Sequence, residues 1–288
     1  MTPTMPNSIS HPSTDRYAVI GNPIAQSKSP LIHSAFAQVT GQDINYTKVL
    51  GPMGEFVATV DAFRASGGRG MNVTAPFKLD AFAYATDLAL SAQMAGAVNA
   101  LKFEGERVYA ENFDGVGLVR DLVHNLQHPL QGRRVLILGA GGATRGALLP
   151  LLAEQPAELV IVNRTVAKAQ ELAALALQHQ TGQVPVQGLG YDAVQGAFDV
   201  VLNASSSSLS GELPPLPASV FAPGCLAYDL TYGKGLTPFL KLAQQAGVTR
   251  LADGVGMLAE QAAEAFAWWR GVRPETGAVI AQLTVPLV

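Results

Sequence analysis

The run Arg134 to Leu138, followed without a break by Gly139-Ala140-Gly141-Gly142, constrains this chain more than any other stretch. An apolar run without alternation fits a strand buried on both faces, as in a parallel sheet. A glycine turn directly after such a strand brings backbone N–H groups at a helix start close to a pyrophosphate, where the helix dipole adds partial positive charge. Apolar strand-like runs alternate with helical patterns through the rest of the chain, so the expected class is α/β with mainly parallel sheets.

At 288 residues the chain is long for one domain and comfortable for two. Hydrophobic residues make up 48% and charged residues 14%, against a typical charged share of about 25%, so burial is favoured. The net charge is −3 and no basic cluster tracks a phosphate backbone, which argues against nucleic acid as a partner. There is no run of about 18 uncharged apolar residues, so no membrane span is expected. Met1 to Asp15 is rich in Pro, Ser and Thr and lacks the basic start and apolar core of a signal peptide; it reads as a disordered tail. Cys225 is alone and no Cys/His group has zinc spacing, so a cytoplasmic setting without a structural metal is expected.

The first half predicts strands at Tyr17–Ile20, Asn45–Val49 and Arg69–Val73, and helices at Pro30–Val39 and Met53–Ala65. Pro76–Tyr84 and Asp87–Ala92 predict two short helices, and Asn99–Phe103 with Arg107–Ala110 a hairpin about Glu104-Gly105-Glu106. A helix is expected at Leu118–Leu126, and beyond it a nucleotide-binding α/β unit. Its helix after the glycine turn reaches Leu152 and should kink at Pro150. Further strands are predicted at Leu159–Val162, Phe198–Leu202 and Leu226–Leu230. Val255–Arg270 reads as a long amphipathic helix with Leu258, Ala262, Ala265, Phe266 and Trp269 on one face.

The glycine fingerprint is imperfect, because Thr144 stands where a third glycine is usual; its strength is the strand and helix that flank it. The strand Leu159–Val162 ends in Asn163-Arg164-Thr165, with no carboxylate to accept from ribose hydroxyls. A guanidinium there suits a 2′-phosphate, so NADP is favoured over NAD. The plain alternative is a solvated loop arginine.

Three polar segments of the first half lie where packing gives them little to do. In the loop Gly21 to Pro30, Ser27 and Ser29 sit beyond a strand end, although Ser29 before Pro30 also suits a helix cap. In Asn72 to Lys78, Thr74 is a candidate cap, and Lys78 falls in the first helical turn, where the macrodipole disfavours a cation by a few tenths to about 1 kcal/mol. Such a lysine is more often surface decoration than proton donor. In Asn112 to Gly115, Asp114 is either a cap or the partner of Lys78 at an interdomain cleft, a favoured place for small-ligand sites.

These segments, with Gly96-Ala97-Val98-Asn99, Gly139 to Arg145, Asn163-Arg164-Thr165, Tyr228 to Pro238 and Gly254 to Leu258 plus Gln261, occur in the order seen in shikimate dehydrogenases, which the chain resembles from about Tyr17 onward. The resemblance implies an N-terminal α/β substrate domain, residues 16–118 with 254–288 returning to it, and a Rossmann-like NADP-binding domain over 119–253. It implies NADP-dependent interconversion of 3-dehydroshikimate and shikimate, with Lys78 and Asp114 as the catalytic pair. Ser27, Ser29, Asn72, Thr74, Asn99, Tyr232 and Gln261 would hold the substrate, and Gly139, Ala140, Gly141, Gly142, Ala143, Asn163, Arg164, Thr165, Leu230 and Gly254 the cofactor. Gln261 has a plainer reading as a core amide bonded to backbone, and Ser205 to Ser208 as a linker near the nicotinamide. Gln26 replaces a common His, and Ala100 and Phe113 replace Thr, which removes two hydroxyls near the substrate. Rival readings are a broader quinate/shikimate enzyme using NAD, a non-catalytic NADP sensor, and a reductase of the same architecture acting on folates or tRNA-linked substrates. A monomer or homodimer fits equally well.

Overall fold

The computed structural model describes residues 14–205 and 214–287, organised about two six-stranded sheets. In the first, β1 (Asp15–Gly21) lies between β2 (Ile44–Leu50) and β3 (Gly68–Val73), parallel to both. The expected tail therefore gives way to sheet at Asp15; residues 1–13 lie outside the described residues. The hairpin β5 (Ala100–Glu104) and β6 (Arg107–Glu111) extends the sheet antiparallel to β3. The helices α1 (Ser29–Thr40), α2 (Phe56–Ala65), α3 (Lys78–Tyr84) and α4 (Leu90–Ala95) complete this half.

Three expected helices start later than their patterns suggest, α3 at Lys78 and not Pro76 among them. Gly54 at φ +81° and the Glu55 N–H on the Pro52 carbonyl make residues 52–55 a turn, so α2 begins at Phe56. Asp87 and Leu88 form a short strand, β4, beside β6, and only then does α4 begin. Thr86 causes this: its N–H donates to the Val108 carbonyl and its hydroxyl accepts the Val108 N–H, which holds the chain extended there.

The chain leaves the first sheet through α5 (Asp114–Arg120), continued by one π-helical turn, Asp121–Asn125. The predicted helix thus begins four residues earlier than Leu118, at Asp114. The second sheet is wholly parallel, in the order β9-β8-β7-β10-β11-β12. Its strands are β7 (Arg134–Leu138), β8 (Glu158–Val162), β9 (Val186–Leu189), β10 (Phe198–Asn203), β11 (Phe221–Asp229) and β12 (Arg250–Asp253). Such an order reverses direction between β7 and β10, so a crevice opens there beyond the strand ends. Helix α6 (Gly142–Ala153) starts at that crevice and runs through Pro150 as one element; α7 (Val166–His179) and α8 (Pro238–Gln245) follow.

The last helices, α9 (Val255–Arg270) and α10 (Gly277–Leu283), return to the first sheet. Small residues Ala259, Ala262 and Ala263 let α9 lie close to α1, where Phe266 meets Ile32 and Phe36 in one buried cluster. Burial of each such large side chain contributes about 1.5–3 kcal/mol. Trp269 anchors the far end by donating Nε1–H to the Leu101 carbonyl at 3.0 Å.

The outgoing and returning crossings between the sheets are bolted together by buried polar groups. Asp121 accepts from the Tyr228 hydroxyl at 2.8 Å and from Asn125 at 2.9 Å, and a Cβ on Gly256 would lie 1.9 Å from its Oδ1. Glu260, 2% exposed, accepts from Thr276, Asn125, Arg120 and Arg273. Burial alone would raise its carboxyl; the hydrogen bonds from Thr276 and Asn125 and the Arg273 charge hold it below the usual range instead.

His33 carries a pH signature. It is fully buried on α1, neither ring nitrogen has a partner, and burial pushes its pKa from 6.5 down to about 3. The unfolded chain therefore binds a proton here that the folded chain refuses, so stability is intact above pH 6.5 and falls as pH drops through the window from 6.5 to 3. Between pH 7 and 5 the loss from this group is about 2 kcal/mol. Urea melts at the two pH values should show it, and His33→Phe should flatten that slope.

Candidate active site

The cleft is built from strand ends. Because β1 and β3 are parallel neighbours, the loops leaving them, Asn22–Lys28 and Thr74–Phe77, rise on the same side of the first sheet. The Asn22 N–H donates to the Ala75 carbonyl, which ties the two loops together. Asn72 is the last residue but one of β3, Asn99 immediately precedes β5, and Asp114 opens α5 beyond the far end of β6. From the other sheet, Leu230, Tyr232 and Gly254 follow β11 and β12. Together they line a cavity of about 220 Å³, which Met257, Leu258 and Gln261 of α9 close from the side. Ser27, Ser29, Asn72, Thr74, Lys78, Asn99, Asp114, Tyr232 and Gln261 all face this one space.

At its centre Lys78 Nζ lies 2.5 Å from Asp114 Oδ2. Asp114 Oδ1 accepts from Asn99 Nδ2 at 2.8 Å, and the same amide reaches Gln261 Oε1 at 3.4 Å. The Asn99 Oδ1 accepts the Phe113 N–H at 2.9 Å, which fixes the amide orientation. Tyr232 titrates above the ordinary phenol range, chiefly through burial, with the Lys78 charge acting the other way. The phenol is thus a hydrogen-bond donor throughout the neutral range.

The capping alternatives do not hold for three of these residues. α1 starts on Ser29 itself, whose N–H donates to the Ser27 hydroxyl at 3.3 Å; Ser29 caps nothing with its side chain. α3 has no side-chain cap, and Thr74 offers only its carbonyl, to the Phe77 N–H. Asp114 is the first residue of α5, and the Asn112 carboxamide oxygen takes its N–H at 3.1 Å. None of these three helices has a side-chain cap hydrogen bond, so the side chains of Ser29, Thr74 and Asp114 are left for the cavity. Gln261 keeps part of its plainer role, since Nε2 donates to the Leu258 carbonyl at 2.8 Å.

Sequence reasoning missed two supports. Asn112 bridges the Asp114 N–H and the Ala97 carbonyl, the Asx geometry an Asn two residues before a helix start could have suggested. Tyr46, on a strand with ordinary alternation, donates its hydroxyl to Asn72 Oδ1 at 2.7 Å. The three departures also find their places. Gln26 lines the cavity while donating to the Pro23 carbonyl; Ala100 is fully buried beside Tyr17, Val19 and Tyr46; the Phe113 ring packs edge-on against Trp268.

The second crevice lies at the start of α6. Gly139 has φ +101° and passes so near the end of β10 that a Cβ would meet Ser205 Cα at 3.0 Å. A Cβ on Gly141 or Gly142 would meet nothing within 4 Å, and Gly141, Gly142 and Ala143 are exposed, so the N-terminus of α6 is open. Asn163 accepts the Ala140 N–H and donates to the Thr165 carbonyl, which joins the glycine turn to the loop carrying Arg164. Of the serine run, Ser205 bonds back to Asn203, and 206–208 lie outside the described residues. Among the described residues no group of acidic, His or Cys side chains has the geometry of a metal site, and no helix is long and apolar enough to cross a membrane.

Two lobes, one a Rossmann-type sheet with an open glycine turn, and between them a cavity holding a lysine–aspartate pair, define a dinucleotide-binding α/β class. Three family models match in order: the shikimate dehydrogenase substrate binding domain over residues 19–101, shikimate / quinate 5-dehydrogenase over 121–210, and the shikimate 5′-dehydrogenase C-terminal domain over 254–284. The shikimate dehydrogenase (NADP(+)) of Chromobacterium violaceum is 56% identical, over 91% of this chain and 95% of its own length. Among solved structures, an Ael1 enzyme from Pseudomonas putida is 59% identical with a TM-score of 0.90, covering 95% of this chain and all of that one. Shikimate 5-dehydrogenase from Thermus thermophilus, solved with NADP(H) and shikimate, is 29% identical with a TM-score of 0.80, covering 93% of this chain and 97% of its own. The chain belongs to the shikimate dehydrogenase family.

Proposed function

We propose that the protein reversibly reduces 3-dehydroshikimate to shikimate with NADPH. The observation that carries this reading is the convergence of nine polar side chains from separate segments on one cavity about the Lys78–Asp114 pair. A cyclic polyhydroxy acid offers many oxygens, and Ser27, Ser29, Asn72, Thr74, Asn99, Tyr232 and Gln261 supply matching hydroxyl and amide groups. Reducing a ketone builds negative charge on its oxygen. Lys78 stands ready to stabilise and protonate that oxygen, and Asp114, in contact with its ammonium, keeps it aimed. In the oxidation direction the same pair takes the proton back.

The glycine turn suits a dinucleotide: Gly139, Ala140, Gly141, Gly142 and Ala143 would hold the pyrophosphate, with Asn163, Arg164 and Thr165 at the adenosine end and Leu230 and Gly254 beside the nicotinamide. When bound, the reduced nicotinamide supplies hydride. Arg164, in place of an acidic residue after β8, supports NADP over NAD. Arg164→Ala should raise KM for NADP about 10- to 100-fold, the value of one or two charge-assisted hydrogen bonds, and leave KM for shikimate nearly unchanged.

The division into a substrate domain (16–118 with 254–288) and a cofactor domain (119–253) belongs to the same proposal, supported by the two sheets and by the return of α9 to α1. So does a cytoplasmic setting, which the lone Cys225 fits: burial pushes its thiol up to about 12, so it is unreactive. The test mixes purified protein with shikimate and NADP, and separately with quinate and with NAD, following absorbance of the reduced nicotinamide. Fast reduction with shikimate and NADP is expected; a preference for quinate or NAD would replace this reading with the broader one.

A further inference from the structure

One member of the cavity wall, Asn72, is held in part by Tyr46, which does not line the cavity. Asn72 is 6% exposed, and its carboxamide is committed on two sides. Its Oδ1 accepts the Tyr46 hydroxyl at 2.7 Å, and its Nδ2 donates to the Asn99 carbonyl at 3.3 Å. The reversed amide would set Oδ1 against the Asn99 carbonyl, acceptor against acceptor, so the observed orientation is the one the surroundings permit. One Nδ2–H remains, on a residue that lines the cavity. Asn72 therefore keeps an N–H with which to meet its ligand.

Tyr46 is in turn held by a ring stack. His33 lies parallel to it with centroids 4.2 Å apart and planes 7° from coplanar, and Phe36, Phe266 and Trp269 surround the imidazole. His33 is 0% exposed and neither of its nitrogens has a hydrogen-bond partner. Its depressed pKa, due to burial, keeps the imidazole uncharged beneath the cavity near neutral pH.

We infer that Tyr46, clamped by His33, is a positioning residue that fixes the Asn72 amide so that it donates to an oxygen of the bound substrate. The inference rests on the reaction proposed above and concerns how that substrate is selected. Loss of the hydroxyl leaves the amide held by the Asn99 carbonyl alone, at 3.3 Å, which loosens its aim and weakens recognition of the substrate oxygen but leaves hydride and proton transfer in place.

The test uses Tyr46→Phe in the full chain, which keeps the ring and its stack on His33. KM for shikimate should rise about five- to tenfold, with kcat within about twofold and KM for NADP unchanged. In an Asn72→Ala background the same substitution should change kcat/KM for shikimate by less than about twofold, because its target is gone. A wild-type KM in Tyr46→Phe, even with a lowered melting temperature, overturns the inference. So does an equal fold-loss in both backgrounds, which would mean that Tyr46 does not act through Asn72. Wild-type turnover, measured alongside, tests the reaction itself: its absence overturns the proposed function, whereas its presence with an unshifted KM overturns only the relay.

Discussion

Replacing Lys78 by Ala is expected to lower turnover of shikimate by about 10²- to 10⁴-fold, the usual worth of a positioned general acid–base group. NADP affinity should stay within about twofold, because Lys78 sits 2.5 Å from Asp114 in the polar cavity, while the glycine turn occupies the separate crevice at the start of α6. The asymmetry is the informative part. A lysine that merely filled the first turn of α3, where the helix dipole disfavours a cation, would leave turnover untouched and could even stabilise the helix when removed. Near-normal turnover in Lys78→Ala would end its assignment. Steady-state kinetics with a separate titration of NADP binding resolve the two outcomes.

The second large effect is expected at Gly115, the neighbour of Asp114. A Cβ there would lie 2.2 Å from the Gly146 carbonyl oxygen and 3.0 Å from Ala147 Cα, both backbone atoms of α6 that have no freedom to swing aside. Gly115→Ala must therefore push α5 from α6. Overpacking of this kind costs about 1–3 kcal/mol, which for a chain of this size lowers the melting temperature by about 2–10 °C. The displacement begins one residue from Asp114, so turnover should fall too; misplacement by an ångström costs up to about 10²-fold. Gly277→Ala is the matched control, because a Cβ at that helix start meets nothing within 4 Å and φ is ordinary. It should leave stability and turnover unchanged. Thermal melts and kinetics on the two variants check this, and an unperturbed Gly115→Ala would show that the α5–α6 contact has slack.

Much of this is legible in the amino-acid sequence, for reasons that differ from one element to the next. β7 and the glycine turn were evident because a doubly buried strand has no polar positions and the turn needs glycine at φ +101°. Ser27, Ser29, Thr74, Lys78 and Asp114 stood out because polar side chains at strand ends have little packing role, whereas Asn99 and Tyr232 were suggested only by the family resemblance. Their local geometry was not legible. Ser29, Thr74 and Asp114 resemble caps in sequence, yet where α1 and α5 begin depends on hydrogen bonds that the Ser29 and Asp114 N–H groups donate to Ser27 and Asn112, which spacing does not reveal. β4 was hidden because Asp87 to Ala92 is compatible with a helix until Thr86 pairs with Val108 across the sheet. Tyr46 and His33 were hidden for a different reason. Each occupies an ordinary core position of its own element, and their significance lies in a contact between residues 13 apart in sequence and in the hydroxyl that Tyr46 directs at Asn72.

Nothing bears on the central claim more directly than a crystal structure of the chain with shikimate and NADP together. The account predicts the substrate in the cavity between the lobes, its oxidisable hydroxyl about 2.6–3.2 Å from Lys78 Nζ and the nicotinamide along the opposite face. Shikimate bound elsewhere, or turned so that this hydroxyl faces away from Lys78 and Asp114, would contradict it.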